Sequence, residues 1–247
     1  MTEPLFHLRH AHRRRRWLVS GVGLLVVLLA GLAGYAHDMA APHPERFAAG
    51  VSTSGPAWEA LRQTPLARAF LRDFQTQQSG SSCGPASLRN VLVSLGHPVA
   101  DERALFRDDR RGWLRLRLLG MTLDELAVLA ARSGVGRVQV HRDLSPAAWR
   151  DLLGALDRPG RRLIVNFDRA AIHGVALGHF SPLGGYDPVS DRVLLLDVTP
   201  GYGVQLVPSP LLLAAMQTLD PVSGRRRGLL QIDAASDAPV HNRTPAE

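Results

Sequence analysis

A single cysteine, Cys83, stands in the phrase Gln77-Gln78-Ser79-Gly80-Ser81-Ser82-Cys83-Gly84-Pro85. With no second cysteine in the chain it forms no internal disulfide, so its thiol is left for packing or for chemistry. A polar loop rich in glycine and serine runs into it, and an apolar helical pattern leaves it. That context puts the sulfur at a helix N-terminus, where unpaired N–H groups and the helix dipole favour the nucleophilic thiolate. Such a nucleophile needs a base, and the base needs an acceptor to orient it. His179, in Gly178-His179-Phe180, opens one apolar run; Asp197, after Leu194-Leu195-Leu196, closes the next. The 18 residues between them suit a hairpin, whose strands would lie about 4.8 Å apart. A carboxylate at the end of a buried strand requires a hydrogen-bonding partner, and an imidazole is a good one. Gln77, six residues before the cysteine, can turn its amide beside the Cys83 backbone N–H to make an oxyanion hole.

Each of these residues also has a plainer reading. Cys83 can be a small core residue, His179 a satisfied histidine of the sheet, Asp197 the cap of the turn that follows it, and Gln77 an exposed amide with Gln78 as the donor. His173 is the nearest substitute base. His97, His141 and Asp143 lack metal-ligand spacing, so no structural metal site is expected.

The surrounding pattern supplies the elements that must position these groups. Leu88, Val91, Leu92 and Leu95 share one face of a helix opened at Cys83 and stopped by Gly96. Thr122-Leu123-Asp124-Glu125 is a capping box opening a helix to about Arg132. Ser145-Pro146 opens another to about Leu156, and Ser209-Pro210 a last one to about Leu219. Leu163 to Phe167 reads as a strand. His179 to Tyr186 and Arg192 to Val198 read as a pair joined by the turn Asp187 to Asp191, and Leu229 to Ile232 as a closing strand. Helices come first and an antiparallel sheet follows, which is an α+β layout with the nucleophile helix packed on the sheet.

The net charge of +7 is concentrated at the start. Arg9 and Arg13 to Arg16 face a single acid, Glu3, in residues 1–16, and the rest mixes arginine with Asp and Glu. No basic stripe with interleaved aromatics is present, which speaks against nucleic acid as a partner. Residues 17–36 carry no charge and would span about 30 Å as a helix, the thickness of a bilayer's hydrocarbon core. With arginines just before it, this run is expected to be a transmembrane signal-anchor. Residues 1–16 would then stay cytoplasmic and the remainder would face the periplasm of a bacterial inner membrane. Cleavage after Gly34-Tyr35-Ala36 as a signal peptide is the rival. Residues 37–65 are expected to be a linker, with an extension packed on the domain as the alternative, since Trp58 and Leu61 allow a short helix there; 66–232 is expected to be the catalytic domain and 233–247 a disordered tail.

The ordered set Gln77…Cys83-Gly84-Pro85-Ala86-Ser87-Leu88, Gly178-His179-Phe180-Ser181-Pro182-Leu183-Gly184-Gly185-Tyr186, Leu195-Leu196-Asp197-Val198 and Asp220-Pro221-Val222-Ser223-Gly224-Arg225-Arg226-Arg227-Gly228 resembles the phytochelatin synthase family. The resemblance covers roughly residues 66–232 and implies a papain-like cysteine peptidase fold in a short, catalytic-domain-only member. It maps the family's catalytic residues onto Cys83, His179 and Asp197, and its oxyanion glutamine onto Gln77. Arg227, Gly178 and Ser181 fall in the matching motifs as substrate-binding candidates. The implied reaction is on glutathione. The thiolate attacks the Cys–Gly amide, releases glycine and holds a γ-glutamylcysteinyl thioester, which another glutathione or water then takes. No cofactor is implied. With one cysteine, any cadmium or zinc dependence would enter through metal–thiolate complexes of the substrate. Two other readings stand beside it. Gly120-Met121-Thr122-Leu123-Asp124-Glu125-Leu126 resembles a segment of bacteriocin-processing peptidases, and a non-catalytic thiol- or metal-binding module is the third.

Overall fold

The computed structural model describes residues 23–32, 34, 43–107 and 109–235. The chain divides into two units, Met1–Ala41 and Pro42–Glu247. In the first, residues 23–32 are helical, and the rest of the expected 17–36 segment, Gly34 apart, lies outside the described residues. Among the described residues no helix is long and apolar enough to cross a membrane.

The second unit runs α1 (Pro56–Arg62), α2 (Pro65–Leu71), α3 (Cys83–Ser94), a 3-10 turn (Arg103–Phe106), α4 (Arg110–Leu119) and α5 (Leu123–Arg132). There follow β1 (Gly136–His141), α6 (Pro146–Gly154), β2 (Arg161–Asp168), α7 (Ala170–His173) and β3 (Gly178–Asp187). β4 (Arg192–Leu196), β5 (Val204–Pro208), α8 (Ser209–Met216) and β6 (Gly228–Ala234) complete it. The six strands form one sheet in the order β1-β6-β2-β3-β4-β5, and every neighbouring pair is antiparallel. This is the expected α+β arrangement.

The expected linker over 37–65 is not free chain where the structure describes it. Ala48 N–H donates to Ile172 O at 2.9 Å, and Ser52 pairs with Leu206 through backbone hydrogen bonds at 3.0 and 2.8 Å. Trp58 Nε1–H reaches Val204 O at 3.0 Å, and Leu61 is buried. Alanine, proline and glycine there serve short caps and close packing, which composition alone does not separate from a tether. β1 and β5 were also not foreseen, because Gly136–His141 and Val204–Pro208 are short and alternate over only two apolar positions each, Val138 and Val140, and Val204 and Leu206. β6 continues to Ala234, two residues past the expected end, and residues 236–247 lie outside the described residues.

The core fills the space between the sheet and the helices α2, α3, α5, α6 and α8. Leu88, Val91 and Leu92 of α3 meet Ile164, Phe167, Phe180 and Leu183 from the sheet within one apolar cluster. Gly84 sits where α3 comes closest. A Cβ there would lie 2.7 Å from Met121 Sδ and 3.4 Å from Phe180 Cδ2. At the other end of α3, Arg162 of β2 acts as a cap. Its Nε donates to Ser94 Oγ at 2.8 Å and its Nη2 to Ser94 O at 2.9 Å. Burial lowers its pKa to about 10, which still leaves it charged at neutral pH. A cation at a helix C-terminus is favourable, and its loss strands a buried carbonyl. Arg162→Met is therefore expected to lower the unfolding free energy by about 1–3 kcal/mol, read from urea melts.

Candidate active site

Cys83 is the first residue of α3, with Ser82 at its N-cap. The loop before it is tied at every second or third residue. Asn90 of α3 brackets Gln75, accepting its N–H at 3.0 Å and donating to its carbonyl at 2.8 Å. Gln77 N–H donates to Val198 O at 2.7 Å, which fixes the loop beside Asp197. Gln78 N–H donates to Glu102 Oε1 at 2.8 Å, and Ser79 N–H to Ser82 Oγ at 3.1 Å. Burial raises the Glu102 carboxyl, while hydrogen bonds from Ser82 and Gln78 oppose it. Sequence gave no sign of Glu102, since a single acid in a polar stretch reads as surface.

His179 is the second residue of β3, and Asp197 follows β4 directly. Leu183 pairs with Leu195 across these strands. Continuing that register by two places puts Asp197 opposite Ser181, the same-face neighbour of His179 along β3. The carboxylate reaches the ring on the diagonal: His179 Nε2 and Asp197 Oδ1 are 2.9 Å apart. The other ring nitrogen is left for the sulfur, whose pKa His179 draws down through hydrogen bonding and charge. The edge of Phe167, at a centroid distance of 5.6 Å, holds the ring from the β2 side.

The electrostatics agree with the geometry. Burial pushes the Cys83 thiol up. The hydrogen bond and charge of His179, with the N–H groups of Phe180 and Gly84, outweigh this and bring it below its ordinary value. Burial pushes His179 down, but the charge and hydrogen bond of Asp197, and then Cys83, raise it to about 9. Asp197 is held well below the usual carboxylate range: burial opposes this, and His179 and then Arg169 enforce it. A thiolate beside an imidazolium is the form that these shifts favour around neutral pH.

Behind Asp197 lies a polar layer of which the sequence marked only His173, as a substitute base. Thr199 N–H donates to Asp197 Oδ1 at 2.7 Å. Arg169 Nε donates to His173 Nδ1 at 3.3 Å, and His173 Nε2 lies 2.7 Å from Gln205 Oε1 and 4.0 Å from Asp197 Oδ2. The Arg169 guanidinium stacks over Tyr202 at 4.0 Å, and Phe47 covers both Tyr202 and His173. His173 is fully enclosed, and burial lowers it to about 4. It is a neutral buffer between Arg169 and Asp197, and the imidazole that lowers the Cys83 thiol is that of His179.

Gln77 is half-buried while Gln78 is exposed. Gln77 Nε2 donates to Ser79 O at 2.9 Å, and its Oε1 has no partner. One amide hydrogen therefore remains uncommitted. Arg227 lies directly over Gly178: a Cβ on Gly178 would come within 2.3 Å of Arg227 Nη1. Arg227 is 6% exposed, its Nε has no partner, and its nearest acid, Asp220 Oδ1, is 4.0 Å away. Ser181 is fully enclosed with an unpartnered hydroxyl, so it reaches no open space. A cleft of about 1030 Å³ lies between α4 and α5, and Met121 links its lining to Gly84. Among the described residues no group of three or more His, Cys, Asp or Glu could hold a metal ion.

A thiol at a helix start, an imidazole on the facing strand and a buried carboxylate behind it define the class of cysteine-nucleophile sites on an α+β frame. The chain belongs to the phytochelatin synthase family, whose model matches residues 58–229. Among curated proteins, glutathione gamma-glutamylcysteinyltransferase 3 of Lotus japonicus is 33% identical over 178 residues, 67% of this chain and 37% of that protein. Glutathione gamma-glutamylcysteinyltransferase 1 of Triticum aestivum is 32% identical over 179 residues, 67% of this chain and 35% of that one. The Schizosaccharomyces pombe glutathione gamma-glutamylcysteinyltransferase is 29% identical over 64% of this chain and 41% of its own length. The chain thus spans little more than a third of the plant relatives. Among solved structures, the peptidase domain of Streptococcus ComA, a bifunctional ABC transporter of a quorum-sensing pathway, superposes with a TM-score of 0.46. It is 18% identical over 65% of this chain and 97% of that domain.

Proposed function

We propose that this protein is a papain-like cysteine acyltransferase that cleaves the Cys–Gly amide of glutathione. The observation that carries the reading is the line Cys83–His179–Asp197 at the start of α3, in a chain whose curated relatives are named as glutathione gamma-glutamylcysteinyltransferases. The Cys83 thiolate adds to the cysteinyl carbonyl carbon. The oxyanion takes hydrogen bonds from the Cys83 N–H and from the free amide hydrogen of Gln77. The tetrahedral adduct collapses as His179 gives its proton to the departing amine, and glycine leaves. A γ-glutamylcysteinyl thioester remains on Cys83. Water, or the amine of a second glutathione, then attacks the thioester while His179 accepts the proton, and the thiolate is restored. No cofactor is required for these steps. Cadmium or zinc would enter bound to substrate thiolates.

Arg227 supplies a buried cation with no acid in hydrogen-bonding range, beside Gly178 and one residue from His179. It is suited to a carboxylate of the substrate. Arg227→Ala is expected to raise KM for glutathione about ten- to hundredfold with kcat within a few fold, in steady-state assays. The uncharged run 17–36, preceded by Arg13 to Arg16, supports a single membrane anchor with the catalytic unit on the periplasmic side.

The deciding experiment follows glycine by mass spectrometry when the full chain is given glutathione, with and without cadmium. Glycine from the wild type and none from Cys83→Ser is the expected result. Cleavage of longer peptides only, or no turnover at all, would overturn the proposal.

A further inference from the structure

We infer that α4 is a membrane-surface helix whose outer face docks the catalytic unit on a bilayer carrying anionic lipid headgroups. The inference does not depend on the reading of the active site.

The face of α4 turned toward the protein is narrow. Leu116 is buried, and Trp113 packs on Phe106 of the preceding 3-10 turn at a centroid distance of 5.4 Å. Of the rest, Gly112 and Arg115 line the cleft beside α5, and the remaining side chains point outward. Leu114, Leu118 and Leu119 are 60%, 73% and 68% exposed. On a helix of 3.6 residues per turn, Arg110, Leu114, Arg117 and Leu118 share one side, and Arg111 and Arg115 border it. An isolated exposed leucine needs no explanation. Exposed leucines interleaved with arginines, whose long apolar stems can lie along a surface while the guanidinium groups reach headgroups, suit a helix lying in a bilayer's interface.

On α4 itself the charge has one sign, with Arg110, Arg111, Arg115 and Arg117 and no acid, whereas the turn before it sets Asp101, Glu102, Asp108 and Asp109 in sequence beside Arg103 and Arg107. Among the described residues Arg103, Arg107, Arg110, Arg111 and Arg117 are in no ion pair. Arg115 alone is paired, with Glu125. Arg103 and Arg117 lie 6.0 and 5.9 Å from the Trp113 ring centre and so stay beside the helix. A nucleic acid would match these cations but leave the leucines in water, and an apolar protein surface would bury the arginines without counter-charge. An anionic bilayer satisfies both sets. Each arginine brought near such a surface strengthens partitioning about fivefold.

The test uses the full chain with Cys83→Ser and a nitroxide on Leu118→Cys, a position that is already exposed. Val189→Cys, on the β3–β4 turn and 94% exposed, serves as the reference site. The samples are mixed with vesicles of phosphatidylcholine alone or of phosphatidylcholine with phosphatidylglycerol. Spin-label accessibility to oxygen and to a water-soluble nickel complex then reports depth. The label at 118 should become nickel-protected and oxygen-exposed in the phosphatidylglycerol vesicles only, and the label at 189 should stay aqueous in both. Adding Arg110→Glu and Arg111→Glu should cut the protected fraction's partition coefficient by at least about 25-fold. Glutamates at a helix start keep the helix favourable, and a circular dichroism spectrum checks that the fold is intact. A label at 118 that stays aqueous while the chain floats with the vesicles would overturn the inference. So would protection at 118 in both lipids alike, or protection on adding a polyanion such as heparin without vesicles.

Discussion

Cys83→Ala is expected to lower glycine release from glutathione by about 10⁴-fold or more, to the level of whatever binding and the oxyanion donors retain on their own. The loss follows from the chemistry, because the other groups of the site only hold, protonate or polarise what the sulfur attacks. The thiol itself can be read more directly. A free cysteine, with a pKa near 8.5, is less than about 1% thiolate at pH 6. Cys83 lies below its ordinary value despite its burial, and the strongest influence pulling it down is the hydrogen bond to His179. Iodoacetamide should therefore alkylate Cys83 at pH 6 far faster than a free thiol, about tenfold or more. His179→Ala should erase that advantage, because burial would then act on the sulfur with only the N–H groups of Phe180 and Gly84 to oppose it. Equal alkylation rates for the wild type and His179→Ala, followed by mass spectrometry, would count against an ion pair.

The ends of this site were legible in the sequence, and its middle was not. Cys83 announced itself by being alone between a Ser/Gly loop and an apolar helix. His179 and Asp197 did so by sitting at the ends of apolar runs, and β3 and β4 formed as those runs suggested. What periodicity does not encode is distance across a sheet. Arg169, His173 and Gln205 come from the residue before α7, α7 itself and β5, and only the order β2-β3-β4-β5 gathers them behind Asp197. Residues 43–65 illustrate the same limit. Their Ala, Pro and Gly content suits a tether, yet Trp58, Leu61 and Phe47 lock the segment onto the sheet and the back of the site. α4 escaped for the opposite reason. Its arginines and leucines are mixed on the exposed side, so no single apolar stripe points to a core.

Asp197→Ala is expected to lower kcat/KM about 10³–10⁴-fold, and Asp197→Asn less than that near neutral pH, since asparagine serves the same place in Cys-His-Asn sites. The difference rests on two roles of one carboxylate. Oδ1 orients: it accepts from His179 Nε2 at 2.9 Å and from Thr199 N–H at 2.7 Å. An asparagine keeps that oxygen and so keeps the ring's direction, whereas alanine loses it. The negative charge tunes: it is what lifts His179 to about 9 against its burial. With a neutral amide the imidazolium should fall back toward or below its ordinary 6.5, and the alkaline limb of the rate profile should move down with it. In the wild type the active ion pair persists up to about pH 9 and is lost above it as His179 gives up its proton. The same shift enters stability. His179 is raised on folding, so its contribution is complete below about 6.5 and fades as pH climbs through about 9. Asp197 is lowered on folding, so its contribution is present above about 3.9 and is lost as the carboxyl protonates in acid. Rate–pH profiles of the wild type and both variants decide the matter. An Asn variant whose alkaline limb stays near pH 9 would show that the carboxylate's charge does not set the base, and Arg169 would then lack its buried counter-ion's purpose in catalysis.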